Sequence, residues 1–106
     1  SDNYLNNNPQ VYNFFYKLLE KKKDEDFLPA YKIFVNSDNY PINYSNFKMP
    51  TLIMTGENEV GSTPSMSKGI SKEIKNSDLY IIKNAKHGAT IEQSKIVNIK
   101  LNKFLF

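Results

Sequence analysis

Hydrophobic and polar residues follow one rhythm before Met49 and a different one after it. Between residues 9 and 19 the apolar side chains recur at the three- and four-residue spacing of one helix face, at Val11, Phe14, Phe15, Leu18 and Leu19. Asn8 and Pro9 stand before this stripe, where an N-cap residue and a first-turn proline favour a helix start. The pattern predicts an amphipathic helix, followed by a second, shorter helix over Asp26 to Val35.

The apolar stripe of the first predicted helix is expected to pack into a core. The alternative is a lid whose aromatic side chains line a pocket. After the second helix, residues 36–47 are rich in Asn, Ser and Tyr and contain Pro41, which is typical of an irregular connection. We therefore expect residues 1–48 to form a helical region and a connection that differ in kind from residues 49–106.

Beyond Met49 the sequence has the pattern of an α/β unit. Residues 51–55 (TLIMT) are an unbroken apolar run after Pro50, and residues 78–83 (DLYIIK) are a second run rich in β-branched and aromatic residues. Runs of this kind are typical of strands that are buried on both faces of a sheet. The pattern predicts two short strands at these positions.

A helix is predicted after each strand. Thr63 and Pro64 mark the first helix start, and its inward stripe is predicted at Met66, Ile70 and Ile74. Thr90 and Gln93 have the spacing of a capping box, which predicts a final helix with one apolar face, formed by Val97, Leu101, Phe104 and Leu105. The element order is therefore strand, helix, strand, helix.

This order predicts where the polar residues at the strand ends lie. Two strands joined by one helix in the same sheet are parallel, and ligands of such sheets bind outside the shared edge of carboxyl ends. The turn after the first strand contains Glu57 and Glu59, and the turn after the second contains His87, the only histidine. We therefore expect a carboxylate close to the imidazole, where it would fix the tautomer and stabilise the imidazolium.

Residues 49–105 resemble the C-terminal end of the α/β-hydrolases, in the stretches MPTLIMTGENEVGSTPSMSKGISKEI and DLYIIKNAKHGATIEQSKIVNIKLNKFL. The resemblance implies an α/β fold in which residues 49–106 are the C-terminal βαβα part of a hydrolase sheet and residues 1–48 are the preceding cap-like helices and their connection. It places His87 on the family's catalytic histidine and Glu59 on the family's acid, most often Asp. Glu92 falls on a downstream Glu that usually has a packing or capping position.

The nucleophile of that family has no counterpart in these residues. It lies on a G-x-S-x-G elbow upstream of the acid, and the nearest string, SMSKG at residues 65–69, lacks the first Gly and follows a helix start. This string also matches the S-x-x-K signature of Ser–Lys acyl enzymes, but their motifs S-D-N and K-T-G are absent. The resemblance thus implies a fragment that contributes the acid and the histidine, but not the nucleophile, to a serine-type hydrolase.

The substrate class implied by the resemblance is an ester, a lactone or a related carbonyl compound, and the fragment alone is expected to be inactive. Glu57 stays open as the alternative acid. The alternative function is a non-catalytic α/β binding or interaction module, as a truncated or degenerate relative of the hydrolases would be.

Composition and charge narrow the classes of partner. The 14 basic residues are all Lys, and the run at residues 21–23 is followed at once by Asp24, Glu25 and Asp26. Nucleic-acid recognition usually relies on the planar fork of Arg, so no nucleic-acid partner is expected. No apolar run approaches the ~20 residues of a bilayer span, and one His with two nearby carboxylates is a thin ligand set for a metal. We expect a cytoplasmic protein with a small-molecule substrate, no cofactor and no membrane partner.

Two strands alone leave unpaired edges and an exposed apolar face, which invite pairing with another copy. We therefore expect the isolated chain to self-associate as a dimer or a higher oligomer. Size-exclusion chromatography that shows only a monomer at high protein concentration would contradict this expectation.

Overall fold

The computed structural model describes residues 1–106, apart from the side chain of Asp38. It divides into two units, one formed by Asp2–Asn43 and the other by Tyr44–Phe106 together with Ser1. Short 3-10 helices cover Ser37–Asn39 and Tyr44–Asn46. The remaining elements are α1 (Asp2–Asn7), α2 (Pro9–Glu20), α3 (Asp24–Asn36), β1 (Thr51–Gly56), α4 (Pro64–Glu73), β2 (Ser77–Ile82), α5 (Ala89–Glu92) and α6 (Ser94–Leu105). Among the described residues, no helix has the length and apolar character needed to cross a bilayer.

The unit Asp2–Asn43 consists of α1, α2, α3 and the first 3-10 helix. Helix α2 begins at Pro9 as predicted, although the Asn8 side chain donates to the Tyr4 carbonyl and caps no N–H group of α2. Helix α3 begins at Asp24, two residues before the predicted start. The acidic residues Asp24, Glu25 and Asp26 fill its first turn, where the helix dipole favours negative charge.

The apolar face of α2 is exposed, so the predicted packing of this stripe into a core is not found. None of the residues whose side chains are described in α1, α2 or α3 is buried, and Leu19 is 69% exposed. Aromatic rings pair along single helices instead, as in Tyr12 with Tyr16, whose ring centres are 6.0 Å apart. A stripe is buried only where other elements cover it; α1 contacts α2, but this contact leaves every described side chain of α2 at least partly exposed. The expected self-association stays a prediction.

The unit Tyr44–Phe106 is built on a parallel sheet of β1 and β2, as the sequence predicts. Thr51 pairs with Ser77 at one end of the ladder, and Gly56 pairs with Ile82 at the other. Helix α4 makes the crossover between the strands. The carboxyl ends of β1 and β2 therefore share one edge, and the fold of this unit is α/β.

Helix α4 confirms the predicted start and the inward position of Ile74, and Ile70 is half-buried. The Met66 N–H donates to the Thr63 side-chain oxygen at 3.3 Å, which is the N-cap hydrogen bond. Ser67 and Ile74 are buried, whereas Met66 is exposed, so the prediction that Met66 faces inward is wrong. The buried face follows positions 67 and 74, and Met66 lies about 100° around the helix from Ser67.

The C-terminal region is a short helix and a longer one rather than one capped helix. Thr90 lies inside α5 and Gln93 lies between α5 and α6, so the predicted capping box is wrong. The hydrophobic core of the unit lies at the carboxyl end of β2, where it supports the loop that carries His87. Its buried members are Ile82, Ala85, Ala89 and Val97, and Met54 and Tyr80 pack against them.

Candidate active site

The turn after β1 is hydrogen-bonded directly to the loop after β2. The Glu57 N–H donates to the Ile82 carbonyl at 2.8 Å, and the Asn58 N–H donates to the Ala85 carbonyl at 2.9 Å. These bonds extend the pairing of the parallel strands beyond their ends. The two segments that carry the candidate acid and the candidate base are therefore held side by side by their backbones.

Gly56 allows this close approach. A Cβ atom at this position would lie 2.4 Å from the Ala85 carbonyl oxygen and 2.6 Å from the Lys86 carbonyl oxygen. Both are backbone atoms, so they cannot rotate away as a flexible side chain could. Glycine is the residue that lets one backbone segment lie directly against another.

Glu59 and His87 are in contact, as expected from the parallel order of the strands. His87 Nδ1 lies 2.7 Å from Glu59 Oε2, and the second carboxylate oxygen, Oε1, accepts from the Gly61 N–H at 2.8 Å. The Glu59 side chain is 7% exposed and the His87 side chain is 90% exposed. The carboxylate is thus fixed below the imidazole, and the imidazole extends to the surface.

This contact determines which imidazole nitrogen is available for chemistry. A carboxylate accepts hydrogen bonds only, so with Glu59 ionised and His87 neutral the proton of the imidazole belongs on Nδ1. Nε2 then holds the free lone pair and can accept a proton from another group. The arrangement is an acid–histidine pair with an accessible base.

The pKa of the Glu59 carboxyl group is lower than its ordinary value of 4.5. The hydrogen bond from the Gly61 N–H is the largest cause, because it stabilises the charged form. Burial acts in the opposite direction, and the hydrogen bond and charge of His87 add to the lowering. Glu59 is therefore ionised at neutral pH, as the pairing with His87 requires. The hydrogen bond from Gly61 was not predicted from the sequence, although a residue two positions after Glu59 in a turn is well placed to donate to its carboxylate.

Stability is expected to depend on pH through Glu59. Folding lowers the pKa of this carboxyl group, so its ionised form adds to the free energy of unfolding. This contribution is fully present above the unfolded pKa, near 4.5, and is lost as the pH falls through the lower pKa of the folded state. In urea unfolding at several pH values, the wild-type chain should be more stable than Glu59→Gln at pH 7, and the difference should shrink below pH ~4.5. A difference that is the same at pH 7 and pH 3 would contradict this role of the charge.

Glu57, the alternative acid, has a different partner. Its Oε2 accepts from the Asn84 N–H at 3.2 Å, and Asn84 has a positive φ of 56°. The structure thus brings Glu59 to His87 and uses Glu57 to hold the loop that follows β2. Among the side chains that the structure describes, no three potential metal ligands come together.

A cavity of about 260 Å³ lies beside the Glu59–His87 pair. Apolar atoms make up most of its lining surface, but polar side chains line it too: besides Glu59 and His87 it includes Met54, Thr55, Ser62, Ile82, Lys86, Ala89, Thr90 and Val97. A small apolar group could therefore sit next to the imidazole. Catalytic and binding pockets commonly combine an apolar lining with a few polar groups.

The comparisons with known proteins give one distant match. A segment of 55 residues, 52% of this chain, is 34% identical to the proline iminopeptidase PfmaB of Pestalotiopsis fici. The chain spans about a fifth of the length of this curated relative, since the match covers 20% of it. No family model and no solved structure matches. The match supports a distant relationship between this chain and the α/β-hydrolases.

Proposed function

We propose that this chain contributes the acid and the histidine of a catalytic triad to a serine-type α/β-hydrolase. His87 is the general base and Glu59 the acid that orients it. The observation that carries the proposal is the 2.7 Å contact between His87 Nδ1 and Glu59 Oε2 at the carboxyl edge of a parallel sheet. Its nucleophile and its oxyanion hole belong to sequence outside these residues.

In this mechanism His87 moves one proton in each half of the reaction. Nε2 takes the proton of a serine hydroxyl as the serine oxygen attacks the substrate carbonyl, and it then gives that proton to the leaving group. In the second half Nε2 takes a proton from a water molecule that attacks the acyl carbonyl, and it gives this proton to the serine oxygen as the bond to the acyl group breaks. Glu59 holds the proton of Nδ1 throughout and stabilises the imidazolium, and the Gly61 N–H fixes the carboxylate.

The proposed substrate is an ester, a lactone or a related carbonyl compound. The relative is named a proline iminopeptidase, which adds an amide bond of proline to these candidates. The apolar cavity beside His87 favours a small apolar group near the scissile bond. We further propose that residues 1–48 are cap-like and residues 49–106 belong to the hydrolase core.

A fluorophosphonate probe tests the proposed function, because it reacts with the activated serine of such hydrolases. In the proposed full-length hydrolase, of which this chain would be a part, we expect the probe to label one serine outside residues 1–106. The isolated chain is the control, and we expect that none of its nine serines is labelled. Labelling within this chain, or a longer protein that is neither labelled nor hydrolytic, would contradict the proposal. The second result would favour a non-catalytic binding module.

A further inference from the structure

We propose that Glu92 is a positioning residue, which holds the backbone on both sides of His87 so that the imidazole meets Glu59. The importance of this role for catalysis rests on the proposed function. The role itself concerns the geometry of this chain.

The exposure of His87 makes such a device necessary. With 90% of its side chain exposed, little packing restricts the rotation of the imidazole. Its direction is then determined by the backbone that carries it and by the hydrogen bond to Glu59. A free histidine side chain populates several rotamers, and each added degree of backbone freedom would spread the imidazole further from Glu59.

Glu92 restricts this backbone on the N-terminal side of His87. Its Oε1 accepts from the Lys86 N–H at 3.1 Å, and Lys86 is the residue directly before His87. The Glu92 side chain is 6% exposed, so the hydrogen bond is partly shielded from competing water. A hydrogen bond to a charged acceptor is stronger than one between neutral groups.

The backbone of Glu92 restricts the other side of His87. The Gly88 carbonyl accepts from the Ile91 N–H at 2.8 Å and from the Glu92 N–H at 2.9 Å. Glu92 is thus bonded to the residue before His87 through its side chain and to the residue after His87 through its main chain. The segment from Lys86 to Glu92 is closed into a ring that has His87 in it.

In the 106-residue chain, where Ser1 is the N-terminal residue, the pKa of the Glu92 carboxyl group is lower than its ordinary value of 4.5. Burial acts to raise the pKa of its carboxyl group, but hydrogen bonds from Ser1 and from the Lys86 N–H, with the charge of the Ser1 ammonium group, outweigh it and lower the pKa. The Ser1 ammonium contacts Oε2 and the Lys86 N–H contacts Oε1, so the two contacts use different oxygens. The bond to Lys86 can therefore be tested separately from the contact with Ser1.

Glu57, in the turn after β1, provides a matched comparison. It also accepts a backbone N–H, that of Asn84, but this bond is exposed and lies three residues before His87. If any carboxylate that accepts a hydrogen bond from the loop after β2 were sufficient, removal of Glu57 would affect His87 as much as removal of Glu92. The proposed role predicts an effect for Glu92 only.

The experiment is nitrogen-15 NMR of the imidazole in the 106-residue chain, where the single histidine gives an unambiguous signal. In the wild type we expect a resolved Nδ1–H resonance, protected by the bond to Glu59. We expect this resonance to be lost in Glu92→Ala and in Glu92→Asp, whose carboxylate is one methylene too short to reach Lys86. It should persist in Glu92→Gln, which keeps an acceptor oxygen, in Glu57→Ala, and after acetylation of the Ser1 amine.

Circular dichroism of each variant shows which of them fold, and Glu92→Asp gives the test if Glu92→Ala does not. A folded Glu92→Ala or Glu92→Asp variant that keeps the Nδ1–H resonance would overturn the proposal, and so would its loss in Glu92→Gln. The measurement needs no substrate and no nucleophile. Failure of the proposed hydrolase activity would therefore leave this result standing, and a negative result here would leave the hydrolase proposal standing.

Discussion

Replacing His87 with Ala in the proposed full-length hydrolase is expected to lower kcat by about 10²–10⁴, the usual contribution of a general base. The reason is that His87 is the only imidazole of this chain, and Glu59 is already paired with it at 2.7 Å. Without Nε2, no group takes the proton of the serine hydroxyl as it attacks. The measurement is steady-state hydrolysis of an activated ester, with kcat and KM determined separately.

The structure offers a matched control for this experiment. Lys83 follows β2 on the same loop and its side chain is exposed, so Lys83→Ala should keep the wild-type kcat. The kcat of Glu59→Gln should lie between those of His87→Ala and Lys83→Ala, because this variant keeps the base but removes the charge that stabilises the imidazolium. A KM that rises while kcat is unchanged in His87→Ala would indicate a binding role. Full activity of His87→Ala would show that the assignment is wrong.

The contact between Glu59 and His87 could be predicted because it follows from the parallel order of two strands, and short sequence patterns are enough to predict that order. Two apolar runs and an intervening helix start at Thr63 predict a parallel pair of strands. Parallel strands bring their following turns to one edge, whatever the details of packing. The resemblance placed Glu59 on the family's acid and left Glu57 open, and the structure gives Glu57 a separate partner in Asn84.

The cap of the last helix and the buried helix faces could not be predicted. They depend on which of several nearby groups makes a given hydrogen bond and on which element covers a given surface. Thr90 and Gln93 have capping-box spacing, yet the structure uses Glu92 to satisfy a backbone N–H in this region. The stripe of α2 was visible in the sequence, but a stripe does not show what element covers it. The predicted stripe of α4 was correct at Ile74, which is buried, and wrong at Met66, which is exposed, because the spacing does not show that the neighbouring Ser67 faces the sheet unit instead.

The positions of Glu59 and His87 both depend on one close contact between two backbone segments. The turn after β1 and the loop after β2 join through the Glu57 and Asn58 N–H groups, and this contact places Glu59 within reach of His87. The candidate site therefore depends on whether the two backbones can approach. That approach depends on the absence of a side chain at Gly56.

Gly56→Ala is expected to destabilise the fold strongly. The added Cβ would lie 2.4 Å from the Ala85 carbonyl oxygen, and Ala85 is fully buried in the core, so the loop cannot move aside without disturbing that core. Overpacking a well-packed site costs about 1–3 kcal/mol, and a clash with backbone atoms belongs at the upper end of this range or above it. Urea unfolding of the isolated chain, followed by circular dichroism, measures the change in the free energy of unfolding.

Gly69→Ala is the matched control, because it adds the same methyl group where the structure leaves open space. Gly69 lies inside α4, and replacing a helical Gly by Ala stabilises by about 0.5–1 kcal/mol. The two substitutions should therefore change the free energy of unfolding in opposite directions. In Gly56→Ala the loop with His87 should also move away from Glu59, so the Nδ1–H resonance of the imidazole should disappear under conditions where the variant is still folded. Equal stability of Gly56→Ala and the wild type would mean that the turn after β1 does not lie against the loop after β2, and the acid–histidine pair would then lack its structural basis.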